Sequence, residues 1–420
     1  MHGLALHGLD VGVAEEWAEG LRYMARQPIL DLQGRVHAYE LLGREGPEAF
    51  FRGDIDRAMR TMLDNTVMFG LEKLTGGVPA FVNCTRDALT ENLVDILPSS
   101  MTVLEILEIV EPTPSVIAAC RKLKATGFRV ALDDFVWEPK FAPLVELADY
   151  IKVDFVLSGP EERGALLRRL HGSPIAMLAE KVETQEEYQQ AQKEGFTLFQ
   201  GYYFCRPVLM SNRKIPANRM YHFEILQMLQ SDDIDVHEAS RVLKRCAGLT
   251  YRLLRLVNSP KYAVRKEIHS IQEALMVVGD ATFRRIVTLA IASDLNGDQP
   301  LEILRMAFVR ARFCELAAEG CGLNPREQYL LGMLSMLSAM MQMPMEDLTP
   351  ALPLRDEIQA ALVGVVNRER MLLGWLESHE RGEWDVCDAV VAANGLRGEV
   401  MDGCYGSALV WAAAALELTA

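Results

Sequence analysis

The chain has 420 residues, half of them apolar and 24 % charged, which is the balance of a soluble globular protein too long for one ordinary core. Its net charge of −15 and pI near 5.1 disfavour a general nucleic-acid role, because a phosphate backbone calls for a basic footprint. The eight cysteines are scattered with no C-x-x-C pair, which argues against a disulfide framework or a structural zinc site and for reduced thiols in a cytoplasmic protein.

Residues 1–22 lack a cationic leader and soon turn acidic, so they read as an extension and not as a signal peptide. From Tyr23 to Pro207, short apolar runs alternate with helical patterns. The runs are Val78–Val82, Val103–Leu107, Phe128–Leu132, Tyr150–Val153, Ile175–Leu178 and Thr197–Phe199. Each is too continuous for a half-exposed strand, and such runs signal a parallel sheet covered by helices. Ser115–Thr126 and Thr184–Gly195 read as two of those helices, bounded by Pro114, Gly127 and Gly195. This alternation fits either a doubly wound sheet or a β/α barrel.

After the proline-containing hinge at Arg206–Pro216 the strand signal vanishes. Helical periodicity carries the rest, in pieces such as Tyr221–Leu229, His237–Cys246, Ser270–Val278 and Leu301–Ala318. Seven Lys or Arg residues fall between Lys244 and Lys266, and they read as a solvated helix face beside Glu267 and not as a nucleic-acid patch. The longest uncharged stretch, Leu330–Met345, is short for a membrane span, so no membrane association is expected.

Nearly every apolar run of the first half ends in an acidic, amide or basic side chain. In order these are Glu40, Asn83, Glu105, Asp133 with Asp134, Lys152 with Asp154, Glu180 and Gln200. In a barrel such strand ends converge on one face. Gathered carboxylates repel one another unless a cation joins them, and an all-oxygen set favours Mg²⁺ or Mn²⁺ over zinc or copper. Any one of these residues could equally cap a helix or solvate a loop; the series is what points to a site.

The same segments resemble the EAL domain of cyclic-di-GMP phosphodiesterases. The resemblance is carried by Q-P-I (Gln27–Ile29), Y-E-L-L-G-R (Tyr39–Arg44), F-V-N (Phe81–Asn83), L-E-I-L-E (Leu104–Glu108) and A-L-D-D-F (Ala131–Phe135). It continues through I-K-V-D (Ile151–Asp154), A-E-K-V-E-T (Ala179–Thr184) and Q-G-Y-Y-F-C-R-P (Gln200–Pro207). It implies a (β/α)8, TIM-like barrel over residues 23–207 with a Mg or Mn site. Glu40, Asn83, Glu105 and Asp133 would hold a first metal, and Asp134 and Asp154 a second. Lys152 and Glu180 would position the attacking water, and Gln27, Arg44, Glu183 and Gln200 would meet the ligand or support the site.

The sequence departs from the family pattern at four places: the EAL triplet reads Glu40-Leu41-Leu42, the family's E-x-T-E reads Glu105-Ile106-Leu107-Glu108, and two more follow. The glycine-rich loop after the paired aspartates reads Phe135-Val136-Trp137-Glu138-Pro139, and Lys181 stands where the family has glycine. The second half resembles the HDOD domain, an all-helical and metal-free relative of the HD hydrolases, here over residues 208–410. L-L-R-L-V-N-S-P (Leu253–Pro260), I-H-S-I-Q-E-A-L (Ile268–Leu275) and R-R-I-V-T-L-A (Arg284–Ala290) carry that likeness, and no His-Asp dipeptide occurs anywhere in the chain. His222 and His269 accordingly read as core or surface residues. The combined expectation is a degenerate EAL domain acting as a cyclic-di-GMP sensor or protein scaffold. The HDOD domain would relay the signal to protein partners. The alternative is an active phosphodiesterase producing pGpG.

Overall fold

The computed structural model describes residues 24–43, 63, 71–205, 217–229, 236–243, 247–258, 267–352 and 354–419. Eight strands close into a barrel in sequence order: β1 (Met24–Asp31), β2 (Val36–Gly43), β3 (Ala80–Cys84), β4 (Thr102–Ile106), β5 (Arg129–Leu132), β6 (Tyr150–Asp154), β7 (Ala176–Glu180) and β8 (Leu198–Gln200). Of the two architectures that the alternation allows, the closed one is present. The six apolar runs become β3 to β8, displaced by no more than two residues.

One strand departs from an all-parallel barrel. From β2 round to β8 neighbours run parallel, but β1 is antiparallel to both β2 and β8. The cause is local. Asp31 Oδ1 accepts the N–H groups of Gln33 and Arg35 at 2.8 and 2.9 Å, and Gly34 takes φ +72, so the chain reverses at once. A turn that short can join only antiparallel strands.

The barrel is plugged by one residue from each strand: Ile29, Ala38, Phe81, Val103, Ala131, Tyr150, Leu178 and Leu198. Side chains on a strand alternate between faces, so positions two residues along point inward again, one layer higher. On β2 to β8 those positions are Glu40, Asn83, Glu105, Asp133, Lys152, Glu180 and Gln200. On the reversed β1 the matching position lies two residues earlier, at Gln27. A polar layer thus sits directly above the apolar plug.

The outer helices have the expected boundaries. Pro114–Ala125 opens on Thr113, whose hydroxyl accepts the Val116 N–H. Gln185–Glu194 opens on a capping box between Thr184 and Glu187 and closes at Gly195, φ +109.

Described residues within Trp17–Arg206 and Glu377–Ala392 cluster as one compact unit, and those within Pro207–Leu376 and Ala393–Ala420 as another. The second unit is helical, and its longest helices are Asp280–Asn296, Leu301–Ala318 and Gly398–Thr419. Phe313 stacks on Trp375 at 5.1 Å, and Phe308 meets Trp411 edge-on at 6.3 Å. Asn258 of the L-L-R-L-V-N-S-P motif works as a strap: its side chain exchanges hydrogen bonds with the Ile268 backbone at 2.8 Å in both directions. His222 is buried with Nε2 2.9 Å from Asp294, which also pairs with Arg252, whereas His269 is exposed. Much of the basic stretch Lys244–Lys266 lies outside the described residues. No helix among the described residues is long and apolar enough to cross a membrane.

Gly332 marks the closest approach in this unit. A Cβ there would lie 2.3 Å from the Arg310 carbonyl oxygen and 2.8 Å from Ala311 Cα. Gly332→Ala should therefore destabilise the helical unit by roughly 1–3 kcal/mol through overpacking. Gly320→Ala, where a Cβ meets nothing within 4 Å, should stay within about 0.5 kcal/mol of the parent in denaturant titration. Equal midpoints for the two variants would contradict the packing argument.

Candidate functional site

The polar layer is organised around one buried ammonium. Lys152 is 1 % exposed, and its Nζ lies 3.2 Å from Glu40, 3.0 Å from Asp133 and 2.8 Å from Glu180, and also contacts Glu105. Burial works against the charged lysine, but attraction by Glu105, Glu180, Glu40 and Asp133 wins and keeps it protonated. Gln200 closes the ring across the β8–β1 seam, donating to Glu40 at 2.7 Å and to Gln27 at 2.9 Å. Gln27 in turn donates to the Glu380 carbonyl at 3.3 Å, a contact inside the barrel unit that no sequence pattern announced. Asn83 donates to Glu40 at 3.4 Å.

One ammonium does not balance this many carboxylates. Burial, with repulsion from Glu40, pushes the Glu105 carboxyl well above its ordinary range. Burial likewise pushes Glu180 up to about 8, even beside Lys152. Burial works against ionisation of Asp133, but the Lys152 charge together with hydrogen bonds from Glu105, Lys152 and the Asp134 backbone brings it net below its usual range. Five buried oxygens in and beside this layer have no hydrogen-bond partner: Asn83 Oδ1, Glu105 Oε2, Asp134 Oδ1, Glu180 Oε2 and Gln200 Oε1. Each such orphan costs about 1–3 kcal/mol unless something meets it. Oxygens of Asp133, Asp134 and Glu180 all lie within 4.8 Å of one another, close enough to share one ion.

The remaining candidates stand at the rim. Asp134 adopts φ +38 and is half-exposed, with burial and the Asp133 charge raising its carboxyl. Asp154 accepts the N–H groups of Val156 and Leu157 at 2.9 and 2.8 Å, and Lys181 contacts its other oxygen. Burial opposes ionisation of Asp154, but those bonds bring it net below its usual range. Glu183 is exposed, and its backbone N–H donates to Glu187 at 2.8 Å. Arg44 lies outside the described residues. Lys181 is the rim residue that strand-end spacing missed; the signal for it was the lysine at a glycine position.

The loop after Asp134 is fixed by aromatic packing. Phe135 meets Trp137 and Phe141 edge-on at 6.4 and 5.8 Å, and the Arg169 guanidinium lies 4.2 Å from the Trp137 ring centre.

Comparison with known proteins bears on this geometry. The EAL-domain family matches residues 85–207 and the HDOD-domain family residues 215–374. An uncharacterised protein of Bacillus subtilis, YuxH, is 33 % identical over 400 residues, covering 93 % of this chain and 97 % of its own. The chain belongs to the EAL–HDOD family. Within this family, the protein of Vibrio cholerae named cyclic di-GMP phosphodiesterase CdgJ is 33 % identical over 374 residues, covering 86 % of this chain and 85 % of its own. Among solved structures, the manganese and cyclic-di-GMP complex of Klebsiella pneumoniae BlrP1 is 24 % identical over 43 % of this chain and 54 % of that one, with a TM-score of 0.36. By the two family matches, the closed barrel is an EAL domain and the all-helical region that follows is an HDOD domain.

Proposed function

We propose that the EAL barrel binds cyclic-di-GMP at a divalent-cation site with slow or no hydrolysis, and that the HDOD region relays the bound state to protein partners in the cytoplasm. The five orphaned oxygens above the barrel plug carry this reading. They are hard donors, buried, and set among carboxylates that burial, with repulsion from neighbouring carboxylates, pushes above their ordinary range. Mg²⁺ or Mn²⁺ suits such a set. Glu40, Asn83, Glu105 and Asp133 would hold the cation, with Asp134 and Asp154 at the rim. Once bound, it would supply Lewis acidity towards a phosphate and lower the pKa of a water.

The chain's own residues divide the remaining work. Lys152, in contact with Glu40, Glu105, Asp133 and Glu180, would hold the carboxylates at fixed spacing and supply positive charge among them. Glu180, pushed up to about 8, is poised to exchange a proton with water. Gln27 and Gln200 orient Glu40 across the seam, and Arg44 and Glu183 would meet the ligand. Binding is favoured over turnover because the loop carrying Asp134 is clamped by Trp137 and Arg169, which limits its adjustment to a reacting phosphate.

Calorimetry with cyclic-di-GMP, with and without Mn²⁺, tests the reading alongside chromatographic detection of pGpG. The expected result is Mn²⁺-dependent binding with turnover at least ~100-fold below the ~10 s⁻¹ common among enzymes. Binding absent under both conditions would sink the sensor reading. The name of the Vibrio cholerae relative favours a second reading, an active phosphodiesterase. Rapid pGpG formation, lost in Glu40→Ala, would establish it.

A further inference from the structure

The carboxylates at the mouth of the barrel divide between two lysines. Lys152 faces Glu40, Glu105, Asp133 and Glu180. Lys181 faces the other two, with Nζ in contact with Asp154 Oδ2 and 3.7 Å from Asp134 Oδ2. The Asp154 side chain is 5 % exposed and both its oxygens are committed. Oδ1 takes two backbone N–H groups at 2.9 and 2.8 Å, and Oδ2 takes the ammonium. A carboxylate in that state has little left to offer a metal. Asp134 differs, for its Oδ1 is buried without a partner, and one of its carboxylate oxygens lies within 4.8 Å of oxygens of Asp133 and Glu180.

The backbone at Lys181 reinforces the point. Its φ of +55 is a left-handed conformation that glycine adopts freely and a lysine adopts at a cost. The ion pair with Asp154 offsets that cost and fixes the ammonium between the two aspartates. A divalent cation entering the same space would meet a positive charge already in place.

We propose that the site takes one divalent cation, beside Asp133, and that the Lys181 ammonium occupies a second cation position between Asp134 and Asp154. This rests on the reading of the carboxylate layer as a metal site. The functional consequence follows from the chemistry of the two cations. An ammonium attracts a phosphate as a metal does, but it does not acidify a bound water. A site with one metal and one lysine can hold a phosphodiester while lacking half of a two-metal clamp. Lys181 is thereby a residue that sets the balance between binding and turnover.

The test counts metal ions and needs no activity. The full-length chain, stripped with chelator, is titrated with Mn²⁺, and free Mn²⁺ is followed by its room-temperature electron paramagnetic resonance signal. One equivalent should bind to the parent chain and two to Lys181→Gly, a change that relaxes the left-handed backbone as it removes the charge. Lys181→Asn, neutral and tolerant of the same conformation, should repeat the gain. Two equivalents in the parent chain would overturn the proposal, as would a single equivalent in both variants. No binding by any of the three proteins would overturn the metal reading of the carboxylate layer itself and this proposal with it, an outcome distinct from a wrong count.

Discussion

Replacing Lys152 by methionine should destabilise the barrel by about 3–5 kcal/mol, the range seen when one partner of a buried ion pair is removed. For a domain of this size that corresponds to a fall in melting temperature on the order of 10 °C, read by calorimetry. The shape of the side chain is nearly kept, so the loss isolates the charge. Four carboxylates that now share one ammonium would face each other with none.

The pH dependence distinguishes this cause from a packing defect. Glu180 titrates near 8 in the folded chain against an ordinary 4.5, so the folded state binds its proton more tightly than the unfolded state does. Its contribution to stability is complete below about 4.5 and is lost as pH rises through about 8. Glu105 is shifted in the same direction. The metal-free parent should therefore lose stability between pH 5 and 8. Lys152→Met should lose it more steeply, because the remaining carboxylates ionise without compensation. Mn²⁺ should act in the opposite sense, stabilising more at pH 8 than at pH 5 since it competes with those protons. At a concentration 100 times its dissociation constant it would restore about 2.7 kcal/mol. A variant that melts with the parent at pH 8 would show that the cluster is not held by Lys152.

The candidate site was legible largely because it follows the strand period. Glu40, Asn83, Glu105, Asp133, Lys152, Glu180 and Gln200 each sit two residues beyond an apolar plug residue on a parallel strand, so marking the polar ends of the apolar runs found the layer. Gln27 obeys the same rule with its sign reversed. That reversal follows from the tight turn at Gly34, which run-by-run reading of apolar segments does not weigh. Lys181 shows a different limit. Its charge and its unusual position were visible in the sequence, but its choice of Asp154 depends on a backbone angle of +55° and on two amides that hold the other Asp154 oxygen. The bond from Gln27 to Glu380 joins residues 353 apart, and nothing local to either one encodes it.

Gly201 should prove the least replaceable glycine of the barrel. It holds φ +139, and a Cβ there would lie 2.1 Å from the Val182 carbonyl oxygen and 2.6 Å from the Val182 nitrogen. Val182 cannot yield easily, since its N–H donates to the Gln200 carbonyl at 3.0 Å and its own carbonyl accepts the Tyr203 N–H at 3.1 Å. Gly201→Ala combines backbone strain with a clash against backbone, and should cost roughly 3 kcal/mol or more. Gly172→Ala gives the comparison: it shares a positive φ, +83, but a Cβ there meets nothing within 4 Å, so it carries the strain without the clash. The loss at Gly201 should also reach the site. Gln200 is its immediate neighbour, and β8 pairs with β1 at Ile29 to close the barrel, so any shift moves the amide that bridges Glu40 and Gln27. Gly201→Ala should therefore weaken Mn²⁺ binding as well as stability, whereas Gly172→Ala should leave metal binding at the parent value. Unchanged metal affinity in a folded Gly201→Ala protein would mean that the seam between β8 and β1 does not position Glu40.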